Sequence, residues 1–384
     1  MAARIKASSV SAPHSSEAPA AAVWLLLGSK KGDNSQIVAL ADALGLPYRA
    51  IQLRFNLLHW LLPAMLGRSL ASVVNRTELK NGPLPELVIS SGLRSVPAAR
   101  WLQGQARAPC KLVHIGRPWG PMAWFDLIVT TPQYALPPAA NVQHNLLPLL
   151  ADTPTPAEPT PDLPAHLGKL PRPWTVALLG GHSRPLRFTV DTAKALGRQL
   201  SHATKDQGSV IVLGSPRTPC HCVKAIQNSL TVPNAVLPYD ASCTSYRLLR
   251  QTADAFVVTG DSVLMTAELL VCGKPLKVFP LPEVPDVLVR LARGWRDAAA
   301  RRPCLRPAFE WARNHGLLPS LRDIALFHRQ LNSAGVFEHP ELAQQLRDQE
   351  KVATVQRIRQ LLNPADVPVA TPEADFSVVA HALR

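Results

Sequence analysis

Short apolar runs ending in glycine or small polar residues recur along the chain, most followed by a stretch with helical spacing. The alternation happens twice, once on each side of a proline-rich break. In the first half "VWLLLG" (23–28) precedes a polar loop and then "SQIVALADALG" (35–45). There Ile37, Leu40, Ala41 and Leu44 fall on one helical face, and Gly45 supplies a stop. "LPELVISSG" (84–92), "CKLVHIG" (110–116) and "FDLIVTT" (125–131) read as further buried strands. This pattern predicts a parallel sheet covered on both faces, with the loops at its strand C-termini free to hold ligands.

Residues 151–173 carry seven prolines, which exclude a long helix or a central strand, so this stretch reads as an interdomain linker. The pattern restarts with strands in 174–181, 208–214, 234–239, 255–260 and 275–281, and helices near 189–203, 221–229, 244–252 and after 260. The expectation is α/β with two Rossmann-like, doubly wound domains facing a cleft: residues 23–150 and 174–331, the second with closing helices rich in arginine. Residues 1–22 read as a disordered tail, and 332–384 as a tail with one charged helix near 340–362 and a Pro/Ala-rich end.

The 384 residues suit two domains, and 47% apolar content is enough for two cores. Lys and Arg number 41 against 27 Asp and Glu, a balance of +14 that suits an anionic partner. Nucleic acid is disfavoured, since aromatics are only 5% and no base-reading motif is present. Six scattered cysteines argue for a reducing compartment, and Cys220-His221-Cys222 is spaced too tightly for an ordinary zinc site. No run approaches the roughly 20 apolar residues of a membrane span. The expected location is cytoplasmic, with the inner face of the membrane as an open alternative.

The stretch "VVTGDSVLMTAELLVCGKPLKVF" (257–279) places one carboxylate, Glu268, in a helix otherwise apolar nearly all round. Asp261 or Ser262 is positioned to cap that helix, and Gly273 to stop it. A buried acid needs hydroxyl or cationic partners. A helix N-terminus that suits phosphate and an acid two turns deeper together fit a nucleotide, its ribose hydroxyls on Glu268. Pairing of Glu268 with a buried Arg or Lys is the alternative.

Other strand ends add candidates. The 28–35 loop, with Gly32, Asp33 and Asn34, offers an anion or acceptor pocket. Gly180, Gly181, Ser183 and Arg184 (or Arg187) occupy the same place in the second half, where two glycines would let the backbone approach a diphosphate. Ser215, Arg217 and Thr218 follow the next strand. Arg94, Ser95, His114, Arg117 and Gln133 follow first-half strands and are acceptor-side candidates. For a base that takes the acceptor proton, Asp33 and His114 qualify by type and place. No Asp-x-Asp motif occurs, so no metal is expected, and the helix dipole and arginines would stabilise the leaving group. "RFNLLHWLLPAMLGRSL" (54–70) reads as a core helix pair under the first sheet, or alternatively as a segment dipping into a bilayer interface near a lipid-linked acceptor.

"GSKKGDNSQIVALADALGLPY" (28–48), "SSGLRSVPAARWL" (90–102), "HIGRPWGPMAWFDLIVTTPQY" (114–134), "GSPRTP" (214–219) and "VTGDSVLMTAE" (258–268) resemble the mitochondrial-fission "elongated mitochondria" family. Its bacterial members are assigned as GT-B glycosyltransferases. More distantly, "MTAELLVCGKPLKVFPL" (265–281) resembles the donor segment of the N-acetylglucosaminyltransferase that completes the lipid-linked peptidoglycan precursor. The resemblance implies a GT-B fold with Glu268 on the donor ribose and a contact near Tyr246; Asp261, Ser262 and Met265 complete the expected donor side. Where the family carries Asn-Pro-Tyr this chain has Ser245-Tyr246 after Thr244, and Ala267 replaces a serine. The expected function is transfer of a sugar from a nucleoside-diphosphate sugar, a co-substrate rather than a cofactor, to an envelope glycan or glycolipid. The alternative, implied by the plant relatives, is a non-catalytic adaptor that recruits a division GTPase to a membrane.

Overall fold

The computed structural model describes residues 22–363 apart from 107–108, 152–163, 206, 241, 316 and 319–321. The expected tail 1–22 (save Ala22), most of the linker's prolines and the chain beyond 363 lie outside the described residues.

The first half holds β1 (Val23–Leu27), α1 (Lys31–Leu44), β2 (Tyr48–Gln52), α2 (Pro63–Leu66), α3 (Arg76–Lys80), β3 (Leu87–Ser91), α4 (Val96–Gln105), β4 (Lys111–Ile115), β5 (Leu127–Thr130) and β6 (Val142–His144). These strands form one parallel sheet in the order β2-β1-β3-β4-β5-β6. Its period-2 alternation feeds two cores. Trp24, Leu26, Val88 and Leu112 pack against Ala98 and Leu102 of α4. Val23, Leu25, Ile89 and Val113 pack on the opposite face against Ile37 and Leu40 of α1.

After α5 (Ala165–Gly168), the second half runs β7 (Trp174–Leu178), α6 (Val190–Thr204), β8 (Ser209–Leu213), α7 (Cys220–Gln227), β9 (Asn234–Leu237), α8 (Thr244–Thr252), β10 (Ala255–Thr259), α9 (Val263–Leu270) and β11 (Leu276–Phe279). Its sheet is parallel, in the order β11-β10-β7-β8-β9. Both faces are covered, one by α6 and α7 and the other by α8 and α9. The arginine-rich stretch forms α10 (Val287–Arg301), α11 (Arg306–Asn314) and α12 (Ile324–Ser333), followed by α13 (Pro340–Leu362).

Each sheet reverses its winding once, between β1 and β3 and between β7 and β10. At such switch points the loops leaving the two strands diverge and open a crevice at their C-terminal ends. The residues after β1, β3, β7 and β10 are therefore those the topology makes available.

Two sequence expectations change here. The charged helix of the expected tail is α13, and it returns to the first half: Val355 and Ile358 bury in the α1 core. The 54–70 segment is not a core helix pair. It forms a 3₁₀ turn (Leu57–Trp60) and the short α2, with Leu57 83%, Trp60 75% and Met65 69% exposed. Pro63 and Gly67 keep its helical pieces too short to bury a continuous face. Among the described residues no helix is long and apolar enough to cross a membrane.

Candidate functional site

The two crevices meet. Helix α1 begins at Lys31, four residues earlier than its apolar periodicity predicts, so Gly32, Asp33 and Asn34 form its first turn. Gly32 faces α9 so closely that a Cβ there would stand 2.9 Å from Leu264 Cδ2. Lys31 Nζ reaches the Tyr239 hydroxyl beyond β9 at 3.2 Å. Glu268 lies one turn after Leu264 and so shares the face of α9 turned to the first half.

Glu268 is half-buried. The Tyr246 hydroxyl donates to its Oε2. Burial raises its pKa against the opposing pull of that bond and of the nearby Arg250 charge. Among the described residues no ion pair within 4.0 Å reaches it, and the alternative of a buried cation as counter-charge survives only at longer range, through the half-buried Arg250. Met265 packs with Tyr246 in the adjoining core.

The α9 N-terminus differs from expectation. Ser262 occupies the N-cap position without a side-chain capping bond. Asp261 turns away: its Oδ2 accepts the Gly181 amide at 3.0 Å and pairs with Arg217 at 3.0 Å, while Oδ1 accepts Thr259 Oγ1 at 2.7 Å. This corrects the reading of Gly180 and Gly181. A Cβ on Gly180 would stand 2.1 Å from Asp261 Oδ1, and one on Gly181 2.1 Å from the Arg217 carbonyl. The two glycines make room for protein atoms, not for a diphosphate. Ser215 Oγ donates to the Gly180 carbonyl at 3.2 Å and belongs to the same internal network. Arg184 is exposed and paired with Asp286 at 3.2 Å.

The first-half candidates also divide. His114 has no exposed surface; its Nδ1 meets Ser90 Oγ at 3.0 Å and burial lowers its pKa to about 3. Its position within β4, rather than after it, takes it out of reach as a base. Arg117 is buried and donates to the carbonyls of Tyr134 and Arg313, at 3.3 and 2.9 Å. Gln133 is buried and donates to Thr131 Oγ1 at 2.7 Å. Asn34 closes its own loop by reciprocal bonds with Gly28, 2.8 and 2.9 Å long. Arg117 and Asn34 hold backbone and Gln133 a neighbouring hydroxyl, which corrects their acceptor-side reading. Arg94 remains at the surface, over the Trp60 ring at 5.6 Å.

Asp33 stays a candidate. Its Oδ2 lies beside Gly92, at the other arm of the switch point. Burial raises its pKa, while Lys30, 4.0 Å away, and Arg322 pull it down. Arg322, missed in the sequence, stands between the halves: it donates to Ser183 Oγ at 3.5 Å and faces both Asp33 and the Tyr134 phenol. Nothing local marked it within an arginine-rich stretch. The arrangement can hold an anion near the open α9 amides, accept hydroxyl donors at Glu268 and accept a proton at Asp33.

A protein of Rickettsia prowazekii (strain Madrid E), described as "Uncharacterized protein RP120", is 23% identical over 298 residues, 68% of this chain and 83% of that protein. Among solved structures, the spinosyn forosaminyltransferase SpnP is similar over 90% of this chain and 100% of its own, at 13% identity and a TM-score of 0.49. Acinetobacter baumannii MurG is similar over 86% and 99%, at 13% identity and a TM-score of 0.36. The mitochondrial fission protein ELM1 of Arabidopsis thaliana is 27% identical over 244 residues. That match takes in 56% of this chain and 57% of the Arabidopsis protein, a little over half its length. A sequence profile described as "Mitochondrial fission ELM1" matches residues 31–315, so the chain belongs to that family.

Proposed function

We propose that the chain is a glycosyltransferase that takes its sugar from a nucleoside-diphosphate sugar. Glu268 accepts the ribose hydroxyls, held in place by Tyr246 and beside Met265. Ser262 and the uncapped amides of α9 take the phosphates, with Ser183 at their edge. The acceptor lies along the first-half crevice, between Asp33 and the β3 end. Asp33 takes the proton of the acceptor hydroxyl as that oxygen bonds to the anomeric carbon. The bond from that carbon to the phosphate oxygen breaks, and its electron pair leaves with the nucleoside diphosphate.

One observation carries this reading: among the described residues, the half-buried Glu268 carboxylate has the neutral Tyr246 hydroxyl as its side-chain hydrogen-bond donor, with the Arg250 charge acting from beyond 4.0 Å. Such a group needs further donors, and a vicinal diol supplies them. Calorimetric titration of UDP-, GDP-, ADP- and CMP-sugars into the wild type and Glu268→Ala tests it. One nucleotide class is expected to bind, with affinity falling at least about tenfold in the variant. Folded wild-type protein that binds none of them refutes the proposal.

A second reading is favoured by the exposed 57–65 segment and by the role named for the Arabidopsis relative. In it the fold is an adaptor at a membrane. Both readings share a peripheral contact of that segment with an anionic bilayer, which for the enzyme would bring a lipid-linked glycan acceptor to the first half.

A further inference from the structure

Arg322 immediately precedes Asp323, the N-cap of α12. Asp323 is pinned on both sides: its amide donates to the Gln133 carbonyl of the first half at 2.8 Å, and its carboxylate accepts the Leu326 amide at 2.8 Å. The Arg322 backbone is thereby tied to the first half, while its side chain reaches Ser183 in the second. Two arginines of the second-half loops are already matched. Arg217 pairs with Asp261 and Arg184 with Asp286. Among the described residues no carboxylate lies within 4.0 Å of the Arg322 guanidinium. A half-buried guanidinium with five donors, whose side-chain partners are the neutral hydroxyls of Ser183, at a long 3.5 Å, and Tyr134, keeps its charge uncompensated and is a site for an oxyanion.

Resting on the donor reading above, we propose that Arg322 is the counter-ion of the donor's diphosphate, and that binding the diphosphate withdraws its charge from Asp33. In the empty protein the guanidinium faces the Asp33 carboxylate and favours its ionised form. A diphosphate at Ser183 engages the same guanidinium and adds its own negative charge nearby. Both changes make Asp33 a stronger proton acceptor when a donor is in place. The guanidinium then also balances the charge that develops on the departing phosphate oxygen.

The test is calorimetry on the full chain with UDP, GDP, ADP and CDP and with their parent nucleosides. Arg322→Ala is expected to weaken the diphosphate that the wild type binds by about tenfold to a hundredfold, and to leave its nucleoside within about twofold. Arg322→Lys should fall between, because it keeps the charge but not the fork. Diphosphate binding should take up a proton at a pH just above the ordinary carboxyl range, read from the dependence of binding enthalpy on buffer. That uptake should vanish in Asp33→Asn. Equal losses for nucleoside and diphosphate in Arg322→Ala would mean a structural role and overturn the inference, as would no loss at all. A wild type that binds nucleotides with no preference for phosphate overturns it while sparing the donor site. A wild type that binds none overturns both. If Arg322→Ala does not fold, Arg322→Gln carries the same comparison.

Discussion

Burial pulls Glu268 toward its neutral form, and the Tyr246 hydroxyl and Arg250 pull it back. The balance makes Tyr246 a positioning residue for the proposed ribose contact. Tyr246→Phe removes one of the influences that lower the Glu268 pKa, so that pKa rises further. At a given pH near neutrality a larger share of the carboxyl is then protonated. The expected outcome is nucleotide binding weakened several-fold, on the order of 1 kcal/mol for one hydrogen bond, with a loss that grows as pH falls. Calorimetry at two pH values checks this, and 2′-deoxy nucleotides provide the cross-check. They should bind weakly to the wild type, and Glu268→Ala should no longer distinguish them from the ribose forms. An affinity unmoved by Tyr246→Phe at either pH would leave Tyr246 as packing alone.

Helix α13 is held to the first half by more than its apolar side. Glu350 accepts the amides of Leu146 and Leu147, the latter at 3.0 Å, and burial pushes its pKa up to about 7. A carboxyl whose folded pKa exceeds its unfolded one adds stability that is full below the unfolded value, 4.5, and is lost as pH rises through about 7. The wild-type melting temperature should therefore decline between those values. Glu350→Gln should melt lower at acid pH and with a shallower slope, since Asp33 and Glu268, also raised by burial, keep part of it; pH-dependent thermal denaturation would show this.

Such contacts explain what the sequence made legible. β1, β3, β4, β5, β7, β8 and β10 are buried on both faces or nearly so, and their apolar runs stand out. β2 is an edge strand with Tyr48 and Gln52 exposed, and β6 spans three residues, so neither leaves a pattern. The α13 apolar residues are outnumbered by its charged and polar residues together, and only the packing partner reveals which of its faces is buried. At the site, Glu268 and Asp33 were visible because an acid in an apolar helix or at a strand end needs a reason. Gly180 and Gly181 announced a close approach without saying of what, and Asp261 proved to be the answer. His114 falls inside the apolar run 110–116 and is followed by Ile115, so the strand reading already put it within β4 and weighed against its use as a base.

At the scale of the whole molecule, the excess of +14 charges becomes informative once it is set beside the exposed apolar segment. Leu57, Trp60 and Met65 stand in water at the edge of the first half, and Arg94 covers one Trp60 face at 5.6 Å. Arg54 is exposed beside them, tied only loosely to Glu78 at 3.8 Å. Inserting one large apolar side chain from water into a bilayer interface is worth about 1.5–3 kcal/mol, and each neighbouring cation adds about 1 kcal/mol near an anionic surface. Two inserted side chains and two arginines therefore amount to about 5–8 kcal/mol in all, a partitioning between sub-millimolar and about micromolar. Full-length protein should float with phosphatidylglycerol vesicles, less with phosphatidylcholine alone, and progressively less as salt shortens the Debye length. Leu57→Ser with Trp60→Ser should reduce that partitioning by more than about tenfold without lowering thermal stability, because neither side chain belongs to a core. Flotation equal in variant and wild type would assign the membrane contact elsewhere. Flotation indifferent to both lipid charge and salt would remove the electrostatic half of the argument and leave the positive excess to the phosphates of the proposed nucleotide alone.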